Sequence, residues 1–286
     1  MASGSMKDIK LRIKSVESTG QITKAMELVA SSKLRKAKMA VEATRPYFNG
    51  LLETLDQIAG CDKELSSIFL TQRDSVQKTA YVMIAGDRGL AGGYNSNMFK
   101  LFNQHALGKE VIMIPVGKKT VDFCKKNKLS ISTTDFANVE DITISDCQKI
   151  AEIISNMFKK GEVDQVYLGY TTFVSMLTQE ATFKQILPIV DLDKNHTEKT
   201  NTLTLYEPDG EELFDIIVPH YLSGVIYGAV AESWASELGA RRTAMEAASK
   251  NAAEMVDALS LQYNRARQSA ITQEITEIVS GANAQV

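Results

Sequence analysis

The sequence predicts two long terminal helices that pair as an antiparallel coiled coil, with a Rossmann-like α/β domain between them. The first observation is a stretch of 64 residues, 219–282, in which only the first is proline. The second is a run rich in strong helix formers over residues 6–45, with a single glycine. The third is an alternation of strand-like and helix-like stretches between the two. Two long helices at opposite ends of a chain can pair with each other and leave the middle as a separate domain.

The C-terminal stretch is the longest predicted helix. Proline is tolerated at the first helical position, so the stretch uninterrupted by proline is expected to have Pro219 in that position, within a C-terminal helix segment over residues 208–286. At a rise of about 1.5 Å per residue it would be roughly 96 Å long, a length typical of coiled coils and shafts. One stripe with mostly three- and four-residue spacing follows it: Leu238, Met245, Ala248, Ala252, Met255, Leu259, Tyr263, Ala266 and Ala270. The many alanines in this stripe would let a second helix approach closely.

The N-terminal helix is predicted to carry two apolar patches with the same spacing. One patch is Ile9, Ile13 and Val16, and the other is Ile22, Met26 and Val29. The step of six residues between the patches indicates a seam that is not a strict heptad. Pro46 is expected to kink or interrupt the helix, which then continues to Gly60.

The middle of the chain is predicted to be the α/β domain. Its strand-like stretches are residues 81–85, 110–115, 163–172, 181–190 and 202–205, and its helix-like stretches are residues 91–107, 118–126 and 142–160. The predicted organisation is an N-terminal helix over 1–60, a linker over 61–77, the α/β domain over 78–207 and a C-terminal helix over 208–286.

Composition and charge exclude several classes of protein. The chain has 286 residues, 44% of them hydrophobic and 23% charged, which is ordinary for a globular protein. Its three cysteines lie far apart, which argues against a disulfide framework or a structural zinc site and favours a reducing compartment. We expect neither a signal peptide nor a transmembrane segment. Residues 6–45 hold ten Lys or Arg against four Asp or Glu, which favours an acidic partner surface; nucleic acid is disfavoured because interleaved aromatic residues are missing.

The most enzyme-like stretch is GDRGLAGG at residues 86–93, between a predicted strand and a predicted helix. Phosphate-binding loops occur at such places, but this glycine spacing fits neither the dinucleotide nor the P-loop pattern. GKKT at residues 117–120 also departs from P-loop spacing. We interpret residues 86–93 as a tight turn. The histidines His105, His196 and His220 are scattered, and Glu211 with Glu212 is interpreted as a charge pair near a helix N-terminus, so we expect a non-enzyme without cofactor or metal.

Four stretches resemble the γ subunit of bacterial F-type ATP synthases, along nearly the whole chain. They are residues 22–30 with Ser32, Lys33 and Leu34 after them; GDRGL at 86–90; YEP at 206–208; and YNRARQ at 263–268 running into ITQEITEIVSGA at 271–282. The last stretch is the most specific. Ala91 stands where many relatives have cysteine, and residues 4–6 look like a short extension before the usual helix start.

The resemblance implies a central stalk of paired terminal helices that rotates inside a ring of α and β subunits. It implies as partners the α and β subunits, the ε subunit and the membrane c-ring, and a peripheral location on the cytoplasmic face of the bacterial cell membrane. It implies that the chain is not catalytic by itself and that rotation couples ion flow to ATP synthesis or hydrolysis. The choice between protons and sodium ions lies in the c-ring.

The resemblance also implies residue roles. Lys24 and Met26, and Lys33 further on, match positions that face an acidic segment of the β subunit. Contacts with the catch loop of the β subunit are implied for Arg241, Gln268, Thr272 and Glu274, and contacts with the ε subunit and c-ring for Tyr206 and Glu207. The plain alternative for each residue is an exposed helix surface without a partner.

Two other functions stay open at this point. A nucleotide-binding α/β protein would bind ATP stoichiometrically as an isolated chain. A stand-alone coiled-coil tether would be a stable monomer or homodimer with no affinity for α and β subunits.

Overall fold

The computed structural model describes residues 2–61, 67–73, 75–190 and 210–283. Two long helices, α1 (Ala2–Cys61) and α5 (Gly210–Asn283), flank the α/β part of the chain. The chain divides into two compact units, and each long helix contributes to both. The smaller unit is Met1–Ser31 with Arg241–Val286, and the larger is Ser32–Ala240.

The larger unit contains the predicted α/β domain. Its strands are β1 (Lys78–Ile84), β2 (Glu110–Val116), β3 (Ser130–Ile131), β4 (Gln165–Phe173) and β5 (Gln179–Leu187). Its shorter helices are α2 (Tyr94–His105), α3 (Lys118–Lys126) and α4 (Ile144–Lys159), with a 3₁₀ turn at Val139–Asp141. The predicted strand at residues 202–205 lies outside the described residues, and the four-part division of the chain stays a prediction.

The described strands form one mixed sheet in the order β3-β2-β1-β4-β5. The first four run parallel, and β5 pairs antiparallel with β4. Along β1, alternate side chains enter opposite cores, as the two-residue period of a strand requires. Ala80, Val82 and Ile84 face α4 and α5, whereas Tyr81 and Met83 face α2 and α3. Because helices cover both faces, the strands read as continuous apolar runs, and the α/β prediction is confirmed.

The position of Pro219 in α5 differs from the prediction. The helix begins at Gly210, so Pro219 is its tenth residue and does not occupy a first helical position. Phe214, Val218 and Leu222 are completely buried in the core cluster on the sheet, and this packing outweighs the backbone hydrogen bond that proline removes. By length and composition α5 contains one stretch apolar enough to cross a membrane, and a buried core helix of this kind passes the same test.

Other helix ends follow local chemistry. Glu211 and Glu212 lie in the first turn of α5, as expected. Helix α4 begins after Thr143 because the Thr143 hydroxyl accepts from the Asp146 N–H at 3.3 Å, while the Asp146 carboxylate accepts from the Thr143 N–H at 3.1 Å. Helix α1 continues through Pro46, so the predicted interruption does not occur, whereas a kink there stays a prediction.

Cys124 and Cys147 are free and completely buried. Burial raises the pKa of the Cys124 thiol to about 11; burial, with the nearby Asp146 carboxylate, raises that of Cys147 to about 12. Both groups are therefore protonated at neutral pH, and the thiol is a poor nucleophile. We predict that iodoacetamide leaves both unmodified in the native chain and labels both in denaturant, as read by peptide mass spectrometry. Native labelling at the denatured rate would contradict this burial.

Candidate functional site

The paired helices of the smaller unit meet along a regular seam on α1. Seven residues spaced four and three apart are buried or half-buried: Ile9, Ile13, Val16, Gly20, Thr23, Glu27 and Ala30. In the larger unit the seam of α1 continues at Leu34 and Ala37, which pack with Ala235 and Leu238 of α5. Gly20 contacts Ala252, whereas Leu34 and Ala37 pack with Ala235 and Leu238. Residue numbers therefore fall along one helix as they rise along the other, so the helices are antiparallel.

This seam corrects two predictions for α1. Ile22 and Val29 are 58% and 56% exposed, so the predicted second apolar patch does not face α5, and the seam is a strict heptad. Polar residues occupy the seam because their polar groups are satisfied locally. The Thr23 hydroxyl donates to the Gly20 carbonyl at 3.0 Å, and the Glu27 carboxylate pairs with the Lys24 ammonium at 3.0 Å.

The seam on α5 follows the predicted stripe closely. Met245, Ala252 and Leu259 are buried, and Tyr263, Ala266 and Ala270 are half-buried. Met255 is an exception because it is 48% exposed while its neighbour Val256 is half-buried. The helices approach closely at Gly20, where an added Cβ would lie 3.2 Å from the Cβ of Ala252.

The outer surface of the helix pair is the set of exposed residues of α1 and α5 in the smaller unit. It carries many large apolar side chains: Leu11, Ile22, Leu28, Val29, Met255, Leu261, Ile271, Ile275, Ile278 and Val279. Every residue from 271 to 283 is exposed. Apolar groups in such number on the surface mark a contact with other proteins. Sequence reasoning missed Leu11 and Leu28, although the heptad phase of Ile9, Ile13 and Val16 places both outside the seam.

The structure places the predicted contact residues of this surface as follows. Lys24 is exposed and paired with Glu27, and Met26 and Arg241 are half-buried. Gln268, Thr272 and Glu274 are exposed. Tyr206 and Glu207 lie outside the described residues.

Two of the C-terminal contact residues share one face of α5. Gln268 and Thr272 are one turn apart, and the Thr272 hydroxyl donates to the Gln268 carbonyl at 2.9 Å. The hydroxyl proton is thus used within the helix, which leaves the Thr272 oxygen as an acceptor for a partner. Glu274 follows two residues later, about 200° around the helix axis, and faces another direction.

In the loop after β1, the carboxylate of Asp87 accepts hydrogen bonds from the backbone around it. Asp87 accepts from the N–H of Val139 at 2.9 and 3.0 Å and from the N–H of Lys118, at the start of α3, at 3.2 Å. A helix N-terminus attracts anions, and here the side chain of Asp87 already takes that position.

The crevice at the carboxyl ends of β1 and β4, where the strand order reverses, is filled as well. Ligands of open α/β sheets bind at such a point. Here Tyr94 is buried within hydrogen-bonding reach of Ser233 on α5, and burial together with the charge of Glu237 raises the pKa of Tyr94 well above its usual value. The Glu237 carboxylate lies against Gly86. These contacts support a structural turn at residues 86–93. Among the described residues, no group of three or more His, Cys, Asp or Glu is arranged to hold a metal ion.

We therefore predict that ATP does not raise the melting temperature of the isolated chain. A ligand of the native state at a hundredfold excess over its Kd would stabilise it by about 2.7 kcal/mol, which thermal unfolding detects easily. The measurement is a titration with ATP and Mg²⁺, with Asp87→Asn as a second chain in which the loop loses its charge. A saturable rise in the unmodified chain would restore the nucleotide-binding alternative.

Together the features define a class: a two-helix stalk with an exposed outer surface, joined in sequence to an α/β domain whose ligand crevice is filled. A family model described as ATP synthase matches residues 5–285. The chain is 47% identical to the ATP synthase gamma chain of Ruminococcus albus over 97% of both chains. It is 44% identical to the sodium ion specific ATP synthase gamma chain of Acetobacterium woodii over 98% of both chains. The chain belongs to the ATP synthase gamma chain family.

Solved structures show the same fold. A chain in the Euglena gracilis mitochondrial ATP synthase matches with a TM-score of 0.67 at 20% identity, covering 99% of this chain and 95% of that one. A chain in the central stalk and c-ring of the Tetrahymena thermophila mitochondrial ATP synthase matches with a TM-score of 0.60 at 24% identity, covering 80% of this chain and 99% of that one.

Proposed function

We propose that this chain is the central rotor of an F-type ATP synthase. It turns inside a ring of α and β subunits and couples ion flow through a membrane c-ring to ATP synthesis or hydrolysis at the β subunits. The observation that carries the proposal is membership of the gamma chain family over residues 5–285. The filled crevice of the α/β domain supports a role without catalysis by this chain alone.

The partners follow from this role. The outer surface of the helix pair meets the α and β subunits, and the rotor joins the ε subunit and the c-ring. The complex is peripheral on the cytoplasmic face of the bacterial cell membrane. One relative is named as sodium ion specific. Ion pumping by membranes that contain this chain should therefore be measured with protons and, separately, with sodium ions.

Individual contacts with the β subunit are part of the proposal. Lys24 and Met26 face an acidic segment of β. Because Lys24 already pairs with Glu27, an acidic partner would exchange with an existing carboxylate, which keeps the contact weak enough for turning. We propose that Arg241, Gln268 and Thr272 contact the β catch loop.

Three further contacts complete the proposal. Glu274 contacts the β catch loop as well, from a different side of α5 than Gln268 and Thr272. Tyr206 and Glu207 contact the ε subunit and the c-ring.

The test is coexpression of this chain with tagged β and untagged α subunits, followed by mass spectrometry of the intact complex. We expect one copy of this chain per complex and ATP hydrolysis that the isolated chain lacks. The control is tagged β with α alone. A monomer or homodimer of this chain that never joins the complex would instead favour the coiled-coil tether.

The C-terminal tip of α5 gives a prediction for hydrogen exchange. Residues 271–283 are exposed along their whole length, and an unpartnered helix end frays in water. We expect fast amide exchange there in the free chain and strong protection in the assembled complex. The core of α4 around Ile150 and Ile154 is the internal control, with equal protection in both states. Equal and strong protection of the tip in both states would show that it needs no surrounding subunits.

A further inference from the structure

Gly86 and Glu237 pack unusually closely in the larger unit. A Cβ added to Gly86 would lie 2.7 Å from both Cδ and Oε1 of Glu237, a distance that real Cβ atoms do not reach. The peptide of Gly86 is fixed on both sides. Its N–H donates to Oδ1 of Asn95 at 2.9 Å, and its carbonyl accepts from the N–H of Lys119 at 3.0 Å. Since the loop is held in this way, the backbone of Gly86 is a rigid surface against which the Glu237 carboxylate packs.

Further polar contacts join the same part of α5 to the carboxyl end of β4. The Thr171 N–H donates to the Ser233 hydroxyl at 3.0 Å, and the Ser236 hydroxyl donates to the Thr171 carbonyl at 3.0 Å. Ser233, Ser236 and Glu237 are spaced three and one apart, so they share one face of α5. All three are buried. We name them, with Gly86 and Thr171, the polar clamp.

The polar clamp differs in kind from the contacts earlier in α5. Residues such as Phe214, Val218 and Leu222 pack on the sheet through apolar contacts, which have no preferred direction. Hydrogen bonds weaken steeply when their angle changes. A small rotation of α5 about its own axis would therefore break the bonds of Ser233 and Ser236, whereas the apolar contacts would tolerate it.

We propose that the polar clamp fixes the rotational position of α5 on the sheet, so that torque passes between the α/β domain and the helix without slip. The inference rests on the proposed rotor function and deepens it by naming positioning residues. We assign them no part in binding nucleotide or a transported ion. Their role is to make the two parts of the larger unit turn together.

The test uses the holoenzyme and a size exchange between the two close residues. Gly86→Ala adds a methyl group against the carboxylate, Glu237→Asp withdraws the carboxylate by one methylene, and the double variant combines both changes. Two quantities are measured in membranes: ATP hydrolysis and ATP-driven ion pumping. We expect each single variant to lower the ratio of pumping to hydrolysis at least about twofold, a typical lower limit for mutations along a coupling network, and the double variant to restore it. A purely structural role would lower both activities together and leave their ratio unchanged, and that result would overturn the inference.

A second pair of variants keeps the test decisive if Gly86→Ala fails to assemble. Ser233→Ala and Ser236→Ala remove the directional bonds with little change in volume. In single-molecule rotation of a probe on the rotor, we expect wider angular fluctuations during catalytic pauses. Ser223→Ala is the matched control, because the Ser223 hydroxyl donates to the His220 carbonyl of the same helix at 2.7 Å. Unchanged fluctuations in the Ser233 and Ser236 variants would overturn the clamp alone, whereas failure of the unmodified chain to assemble with α and β would overturn the rotor proposal and the clamp with it.

Discussion

Gly117→Ala is expected to lower the free energy of unfolding of the larger unit by more than about 4 kcal/mol, the range of exceptional single mutations. Gly117 precedes α3 with φ +96°, a conformation that side chains rarely adopt. A Cβ there would lie 2.0 Å from the Ala85 carbonyl oxygen and 2.8 Å from Cγ2 of Val139. Because the Ala85 carbonyl is backbone just beyond β1, the strand and the start of α3 would have to separate.

Gly108→Ala is the matched control for Gly117→Ala. Gly108 also has a positive φ, +76°, but an added Cβ there meets nothing within 4 Å. The Gly108→Ala variant is therefore expected to lose only the free energy that the positive φ costs a side chain, about 1–2 kcal/mol. Both variants are followed by urea unfolding with the fluorescence of Trp234, the single tryptophan, which packs against the core of the larger unit. Equal shifts of the two midpoints would show that the contact with Ala85 is not the cause.

Met26→Lys is expected to lower the ratio of ion pumping to ATP hydrolysis about fivefold or more while leaving assembly of the complex intact. Met26 is half-buried beside the seam, so the stem of a lysine can lie along the same surface with its charge in water. Glu27 is adjacent on the helix and cannot face residue 26. The new ammonium would therefore seek an acidic group of the β subunit and hold one rotary position about 1 kcal/mol or more too strongly.

The matched control is Met26→Gln, which has a similar length and no charge. Hydrolysis and ion pumping are compared in membranes carrying each variant, together with the yield of assembled complex. If both activities fall in parallel, or if glutamine acts like lysine, the proposed contact of Met26 with an acidic segment is wrong.

The α/β domain could be predicted from the sequence because its local signals agree with its packing. The strands around β1 are buried on both faces and read as continuous apolar runs. The predicted bounds of α3, residues 118–126, agree with the structure because Gly117 and Asn127 mark both ends. The strand β3 was missed, since two residues carry no periodic pattern.

The long helices show where sequence reasoning reached its limit. The seam of α1 holds Thr23 and Glu27, whose polar groups are satisfied by neighbours one turn away, so a search for apolar residues selected Ile22 and Val29 instead. Pro219 was assigned to a first helical position, and not to the helix interior, because a local rule for proline does not contain the tertiary burial of Phe214. The contact residues stay predictions, because their energies depend on other subunits.

The Asp87 carboxylate at the start of α3 acts as a tethered competitor. It is three residues beyond the end of β1, and the Val139 and Lys118 N–H groups hold it in place, so its effective concentration at this helix end exceeds that of a dissolved anion. A rotor works in a solution rich in ATP, ADP and phosphate, all of which are anions. With its own anion in place, we expect the α/β domain to be insensitive to the cellular level of these solutes, so that nucleotide would act on the rotor through the surrounding ring.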